Sequence, residues 1–277
     1  MKSILIPIEA HAAISAVLET ARLLALRFGS YMEGVALGPD LTQIVAADFS
    51  LDGVMFDDSV RRDLLDDARS TFETFMRHHG IEPQAGDCQR PSYGWTKEVL
   101  ISDNGVGEYG RVFDIIAVGR PGAGPQQPRK STLESALIES GRPLLIAPPR
   151  APAQLGECIA IAWNGSSETA RSVAFALPLL LLAKDVPVFS IPGSSLPGPN
   201  EEQLVENLRR HGVAARAVAA HATAKTPGLA VLVTARSVGA DLLIKGGYTQ
   251  SRLRQMIFGG ATSQILAEAN LPVFMAH

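Results

Sequence analysis

Glycine and hydroxyl residues flank a short segment near the end of the chain with a spacing that suits phosphate binding. Gly246 ends a buried apolar run, Gly259 follows thirteen residues later, and Thr262 stands at the start of a segment with helical spacing. Glycine lets a backbone approach a ligand closely, and a helix N-terminus presents unpaired N–H groups to an anion. These residues therefore fit either an anion-binding segment between a strand and a helix or simple tight turns, and both interpretations stay open at this point.

A second polar segment follows another apolar run, Ile159–Ala162. Ligands of open parallel sheets bind beyond the carboxyl ends of the strands, which makes Asn164 and Ser166 candidate ligand contacts. The same two residues also fit an Asx turn and a helix N-cap, and both interpretations stay open at this point. Trp163, between them and the strand, fits either core packing or a platform for an aromatic ring.

The elements that position these residues occur twice in the chain. Three segments recur in the same order, and the first copy carries about 28 additional residues, which we place within Gly38–Asp63. The matched pairs are Ile4–Ala10 with Ile159–Gly165, Asp114–Gly119 with Asp241–Gly246, and Arg142–Ala147 with Leu271–Ala276.

Each copy alternates short apolar runs with helical patterns, which is typical of βαβ units and a parallel sheet. The sequence thus predicts an α/β fold of two tandem, open, parallel-sheet domains of Rossmann-like type. Three prolines within 148–152 indicate an extended linker, so we expect domains over 1–149 and 156–277. The expected helices are Ala12–Phe28, Ser59–His79, Thr96–Tyr109, Thr132–Ser140, Ser167–Ala183, Glu201–His211, Gly228–Val238 and Thr262–Ala269.

Composition and charge exclude several classes of function. The 25 basic and 28 acidic residues give a net charge of −3, which disfavours nucleic acid as a partner. The longest apolar run, Val173–Ala183, is too short to cross a bilayer. Cys88 and Cys158 stand in unrelated contexts, which predicts no disulfide and a cytoplasmic location.

Motifs of catalysis and metal binding are also missing from the sequence. The six histidines show no metal-ligand spacing, so we expect no metal site made by the protein. The Gly-x-Ser-x-Gly elbow of hydrolases and the Gly-Lys-Ser/Thr phosphate loop do not occur. We therefore expect no efficient catalysis, with slow ATP hydrolysis left open.

The duplication, the glycine turns and their flanks together resemble tandem universal stress proteins of the UspA superfamily. The likeness covers nearly the whole chain and includes the segments 162–166, 246–262 and 271–277. It implies an adenine-nucleotide alpha hydrolase-like fold, two copies packed as an internal pseudo-dimer, and ATP, with Mg²⁺ when bound, in the second copy. The implied binding residues are Ala162, Trp163, Asn164, Ile191, Lys245, Gly246, Gly247, Tyr248, Thr249, Gly259, Gly260, Ala261 and Thr262.

Departures from the family pattern bear on the ligand. Thr249 replaces a glycine, and Asn164 stands where the family usually has aspartate. In the first copy, three prolines interrupt the corresponding loop, and Lys130-Ser131-Thr132 takes the place of Gly259-Gly260-Ala261. The first copy is therefore expected to hold a degenerate site, although the positive start of its helix would attract an anion.

Two functions follow from the resemblance and stay open. The first is an adenine-nucleotide-binding module in stress response or signalling. The second is a scaffold or chaperone-like stress protein that works without nucleotide. Dimerisation of the whole chain is compatible with both.

Overall fold

The architecture is a single mixed sheet with helices on both faces. The structure, a computed structural model, describes residues 1–38, 58–85, 89–95, 97–122, 124, 126–220, 225–247 and 260–277. In these ranges, eleven strands follow the spatial order β3-β4-β2-β1-β5-β6-β11-β10-β7-β8-β9. All neighbouring strands are parallel except β6 and β11. The predicted α/β fold with parallel strands is confirmed, and the sheets expected for the two halves are joined into one mixed sheet.

Elements of the first half end with the strand at the middle of the sheet. They are β1 (Ser3–Ile8), α1 (Ile14–Phe28), β2 (Tyr31–Ala36), α2 (Asp58–His78), β3 (Glu82–Pro83), β4 (Ser92–Gly94), α3 (Asp103–Gly110), β5 (Ile115–Gly119), α4 (Lys130–Glu139) and β6 (Leu144–Ala147).

Elements of the second half repeat this order without a counterpart of β3. They are β7 (Ile159–Ala162), α5 (Ser167–Leu180), β8 (Val186–Phe189), α6 (Glu201–Arg210), β9 (Ala215–Ala217), α7 (Pro227–Ser237), β10 (Leu242–Gly246), α8 (Gly260–Glu268) and β11 (Val273–Ala276).

The two halves meet through the antiparallel pair β6–β11. Leu145 pairs with Phe274, and each is the other's counterpart in the sequence repeat. An approximate two-fold axis therefore passes through this pair. Both side chains are fully buried in the core that lies on one face of the sheet. Two open sheets thereby become one, and neither half exposes its β6 or β11 edge.

Asp114 and Asp241 explain why an aspartate recurs before the fourth strand of each copy. The Asp114 carboxylate accepts from the backbone N–H of Lys2 at 2.5 Å. The Asp241 carboxylate accepts from Gly156 and Glu157 at 2.7 and 3.0 Å. Each aspartate thus ties the strand that follows it to the beginning of the first strand of the same half.

Side chains of the first half also hold the second half directly. Arg27, at the end of α1, pairs with Glu157 Oε1 at 2.8 Å and donates to the Leu182 carbonyl at 3.0 Å. Arg120, just beyond β5, donates to the carbonyls of Leu266 and Ala267 in the last turn of α8. These bonds support the internal pseudo-dimer that the resemblance implied.

One expected helix is wrong in its extent. Thr96–Tyr109 was expected to be helical, but α3 begins at Asp103. Ile101 instead bridges to Leu37 as an extended residue, and the Ser102 side chain caps the helix by accepting from Gly105 N–H at 3.1 Å. The additional segment placed within Gly38–Asp63 lies mostly outside the described residues.

None of the helices in the described ranges is both long enough and apolar enough to cross a membrane.

Replacing Phe274 by alanine tests the β6–β11 junction. Phe274 has 0% exposure, so Phe274→Ala leaves a cavity at the two-fold axis and should cost about 3–5 kcal/mol of unfolding free energy. The check is the midpoint of urea unfolding. Phe175→Ala, at a side chain that is 39% exposed, is the control and should cost about 1 kcal/mol or less. Equal midpoint shifts for the two variants would contradict this role of the junction.

Candidate functional site

A cavity of about 260 Å³ opens at the carboxyl end of β7, β8 and β10 in the second half. The first turns of α7 and α8 form its other wall. Among the described residues, its lining consists of Ala162, Trp163, Asn164, Ile191, Ser194, Pro227, Val231, Lys245, Gly246, Gly260, Ala261 and Thr262. The structure therefore brings nine of the thirteen predicted binding residues to one cavity.

The other four predicted residues do not line this cavity in the described structure. Gly247 donates its N–H to the Ala276 carbonyl at 2.8 Å, and a side chain at this position would face Leu137 of the first half. Tyr248, Thr249 and Gly259 lie outside the described residues. Gly247 therefore belongs to the contact between the halves.

Lys245 supplies the positive charge of the cavity. Its ammonium donates to Thr262 Oγ1 at 2.7 Å and to the Gly246 carbonyl at 2.8 Å. Burial lowers the pKa of this lysine to about 8. Because a buried ammonium loses hydration, the charged form is costly there unless a partner replaces the water.

Asn164 fixes the turn between β7 and α5. Its side-chain oxygen accepts from Ser166 N–H at 3.2 Å and from Thr169 Oγ1 at 2.6 Å. Ser166 is the N-cap of α5 and accepts from Thr169 N–H at 3.1 Å. The Asx-turn and cap interpretations of these residues are thus both confirmed. Since the oxygen of Asn164 is engaged in the turn, its NH₂ group is the part that remains for a ligand.

Trp163 belongs to the core and also lines the cavity. The side chain is 6% exposed, and its indole N–H donates to the Pro199 carbonyl at 2.7 Å. That bond satisfies the polar atom of the ring. The tryptophan therefore contributes an apolar, fixed surface.

Gly246 and Gly260 have different reasons to be glycine. A Cβ on Gly246 would run into the backbone and side chain of Thr169, so this strand end packs directly on α5. A Cβ on Gly260 would meet none of the described residues within 4 Å. Gly260 therefore tolerates a side chain sterically, which makes it a good position for testing the cavity.

Ser194, Pro227 and Val231 are lining residues that the sequence analysis missed. Ser194 stands in the loop after β8, and Pro227 and Val231 belong to α7. Thr226, whose side chain accepts from Leu229 N–H, and Pro227 form a recognisable N-cap and first position of a helix. That signal, combined with the strand order, would have placed the start of α7 at the cavity.

The corresponding region of the first half is filled by its own side chains. Glu9, the counterpart of Asn164, accepts from Arg129 Nε at 2.5 Å and from Arg129 N–H at 3.1 Å. Arg129 also pairs with Asp103 Oδ1 at 3.2 Å, and Thr132 donates to the same carboxylate oxygen at 3.0 Å. The anion expected at the start of this helix is therefore a carboxylate of the chain itself.

Burial and charge set the titration of this first-half cluster. Burial raises the pKa of Glu9, and Arg129 offsets part of that rise. Burial, aided by Arg129, lowers the pKa of His11 to about 4. His11 Nε2 lies 3.8 Å from Glu9 Oε2, but the imidazole is neutral at pH 7, so the contact is not an ion pair at that pH.

The described structure gives little support for a reactive thiol or for a metal site. Burial raises the pKa of Cys158 to about 11, so this thiol is protonated at neutral pH and a poor nucleophile. Among the residues that the structure describes, no three His, Cys, Asp or Glu side chains come together to hold a metal ion.

Comparison with known proteins identifies the fold. No protein-family model and no curated protein matches the chain. A universal stress protein from Archaeoglobus fulgidus matches 99% of this chain and 97% of its own, with a TM-score of 0.69 and 14% identity. The chain has the universal stress protein fold.

Two structures from Pseudomonas aeruginosa agree with this assignment. A putative universal stress protein matches 100% of this chain and 93% of its own, with a TM-score of 0.54 and 14% identity. A protein described as functionally unknown matches 100% of this chain and 92% of its own, with a TM-score of 0.57 and 15% identity. The universal stress protein fold thus spans both halves of the chain.

Removing Arg129 tests whether the first-half cluster is a closed ion pair. Arg129→Met leaves the Glu9 carboxylate buried without a charged partner, with the backbone N–H of residue 129 still donating to it, and should cost about 3–5 kcal/mol of unfolding free energy. The double variant with Glu9→Gln should cost clearly less than the sum of the two single variants in denaturant unfolding. Arg69→Met removes an ion pair whose arginine is 43% exposed and should cost about 1 kcal/mol or less. Additive costs at Glu9 and Arg129 would refute the pairing.

His11 predicts a loss of stability with falling pH. Because its pKa is about 4 when folded, against about 6.5 when unfolded, the unfolded chain binds the proton first as the pH falls. His11→Asn keeps the acceptor for Ala13 N–H, which lies 3.1 Å from His11 Nδ1. Between pH 7 and 4 the wild type should lose up to about 3 kcal/mol more than this variant. Parallel stability curves for the two proteins would show that His11 is not buried as a neutral group.

Proposed function

We propose that this chain is a tandem member of the UspA superfamily whose second half binds an adenine nucleotide, ATP being the first candidate. The observation that carries the proposal is the cavity at the carboxyl end of β7, β8 and β10. It lies where open α/β sheets generally bind ligands, and it contains most residues that the family resemblance implied. The domain division at about residue 150 belongs to the same proposal.

The lining divides into two kinds of surface that suit the two ends of a nucleotide. Ala162, Ile191 and Val231 offer apolar contact for a base or sugar. Lys245 and Thr262 supply polar groups at the start of α8, where helix N–H groups favour an anion. This donor set fits phosphate groups.

Binding without efficient turnover is the activity that this lining supports. No carboxylate occurs among the described lining residues, so they provide neither a carboxylate base nor a carboxylate ligand for Mg²⁺. A Mg²⁺ ion would therefore depend on the phosphates of the nucleotide and on water. The nucleotide would act in stress response or signalling by stabilising the folded second half.

Gly260→Asp tests the proposal without filling a packed space. The carboxylate would lie at the rim of the cavity and repel an anionic ligand, whereas acidic residues in a first helical turn favour the helix itself. We expect ATP to bind the wild type with one site per chain and to bind Gly260→Asp at least tenfold more weakly, by isothermal titration calorimetry. Gly260→Ala should bind ATP like the wild type.

The matched control lies in the first half. Ser131 is the counterpart of Gly260 at the start of α4, so Ser131→Asp adds the same charge to the region that Glu9 and Arg129 fill. This variant should leave ATP affinity unchanged.

At 100 times its Kd, ATP should stabilise the wild type by about 2.7 kcal/mol, seen as a higher melting temperature. Absence of binding by ATP, ADP and AMP would refute the proposal and favour the nucleotide-independent scaffold.

A further inference from the structure

Lys245 occupies a strand position that holds an apolar side chain in the first half. Its counterpart in the first half is Val118, which is 4% exposed and part of the core. The same strand position is therefore stable without a charge. Because a partly buried ammonium destabilises a fold unless it is paired, a lysine at position 245 calls for a reason other than packing.

The corresponding regions of the two halves differ in charge, although Lys245 and Arg129 come from different positions of the repeat. In the first half, the carboxylate of Glu9 compensates the cation of Arg129. In the second half, Asn164 replaces the carboxylate, and Lys245 has two neutral partners, Gly246 and Thr262, among the described residues. The second half thus has the cation of such a pair, and the described part of its cavity lacks the anion.

The polar groups around Lys245 offer donors for an anion. A lysine has three N–H donors, and the described structure uses two of them. Thr262 accepts from the lysine, which leaves its own hydroxyl proton to donate. The NH₂ group of Asn164 and the first turn of α8 add neutral donors.

We propose that Lys245 is the residue that makes this cavity selective for the charge of its ligand, by pairing with a phosphate group. The inference rests on the proposed function and specifies it. Phosphorylated nucleosides are bound through Lys245, and an unphosphorylated nucleoside gains little from it. A charged hydrogen bond of this kind corresponds to about 10–100-fold in affinity.

The affinity for phosphate should also depend on pH, because only the ammonium form pairs with an anion. Lys245 lies on the face of β10 toward α7 and α8, with Asn164 at the end of the neighbouring β7. The first two turns of α7 carry no charged side chain, and the charge of α8 is Glu268 in its last turn.

Glu168 of α5 packs on the opposite face, next to Gly246. On β11, Met275 is the register partner of Lys245, and His277 follows the strand.

The experiment compares ligands that share a nucleoside and differ in charge. Isothermal titration calorimetry with ATP, AMP, adenosine and inorganic pyrophosphate is run on the full chain at pH 7.5 and pH 9.5. In this range the phosphates of ATP and AMP stay fully ionised and histidine side chains stay neutral. Pyrophosphate still loses a proton in this range, so it is compared between proteins at pH 7.5 only. The variant is Lys245→Met, which keeps an unbranched apolar stem. The matched control is Lys130→Met at the start of α4, whose lysine pairs with Glu134 at 3.2 Å.

Support would consist of three results together. Lys245→Met binds ATP and AMP at least tenfold more weakly than the wild type and binds adenosine equally well. The wild type loses about tenfold in ATP affinity from pH 7.5 to 9.5, and Lys245→Met loses clearly less. Lys130→Met behaves like the wild type. Thermal unfolding of Lys245→Met without ligand shows that the variant is folded.

Failure of this inference differs from failure of the proposed function. Tight ATP binding with the same affinity and pH dependence in Lys245→Met and the wild type would overturn the inference and leave nucleotide binding intact. Binding of pyrophosphate that needs Lys245, without binding of any adenine compound, would support the inference and refute the adenine nucleotide. Binding of no ligand in the set would overturn both.

Discussion

The antiparallel pair between β6 and β11 determines how the rest of the molecule is arranged. Leu145 and Phe274 pair across an approximate two-fold axis, so each half covers the open edge of the other's sheet. Because the halves are related by this axis, the carboxyl ends of their parallel strands point in opposite directions. The strand ends at which such sheets generally bind ligands therefore lie on opposite sides of the molecule, and each region is free to diverge from the other.

The two regions differ in how their charged side chains are paired. The first half closes its region with Glu9, Arg129 and Asp103, which form a buried network of opposite charges. The second half keeps a cavity in which Lys245 has neutral partners among the described residues. A buried charge is stable only when its partner is present. The first half supplies both partners itself and keeps its region as internal structure, whereas a cation without an internal anion in the described part of the cavity leaves the second region available as a binding site. Because of this contrast, we propose the nucleotide site in the second half.

Much of the fold could be predicted from the sequence because local patterns specify it. Apolar runs such as Leu242–Ile244 mark buried parallel strands, and Ser166 marks the start of α5. The rule that ligands bind at strand ends then made Asn164 a candidate ligand contact, and the family resemblance added Lys245. The expected helix over Thr96–Tyr109 was wrong in its first residues, because a bridge to the distant Leu37 outweighed their local preference.

The parts of the site that could not be predicted depend on contacts between distant residues. Glu9 and Arg129 are 120 positions apart, and nothing in the spacing of the sequence shows that they pair. Ser194 and Val231 reach the cavity only because β8 and α7 lie beside β7 and β10 in the folded sheet. The roles of Thr249 and Gly259 stay predictions, since they lie outside the described residues.

A crystal structure of the full chain grown with ATP tests the central claim most directly. The account predicts one nucleotide per chain, in the cavity of the second half, with a phosphate oxygen within hydrogen-bond distance of Lys245 Nζ and with Glu9 still paired to Arg129. A nucleotide bound at the Glu9–Arg129 region, or one nucleotide in each half, would contradict it.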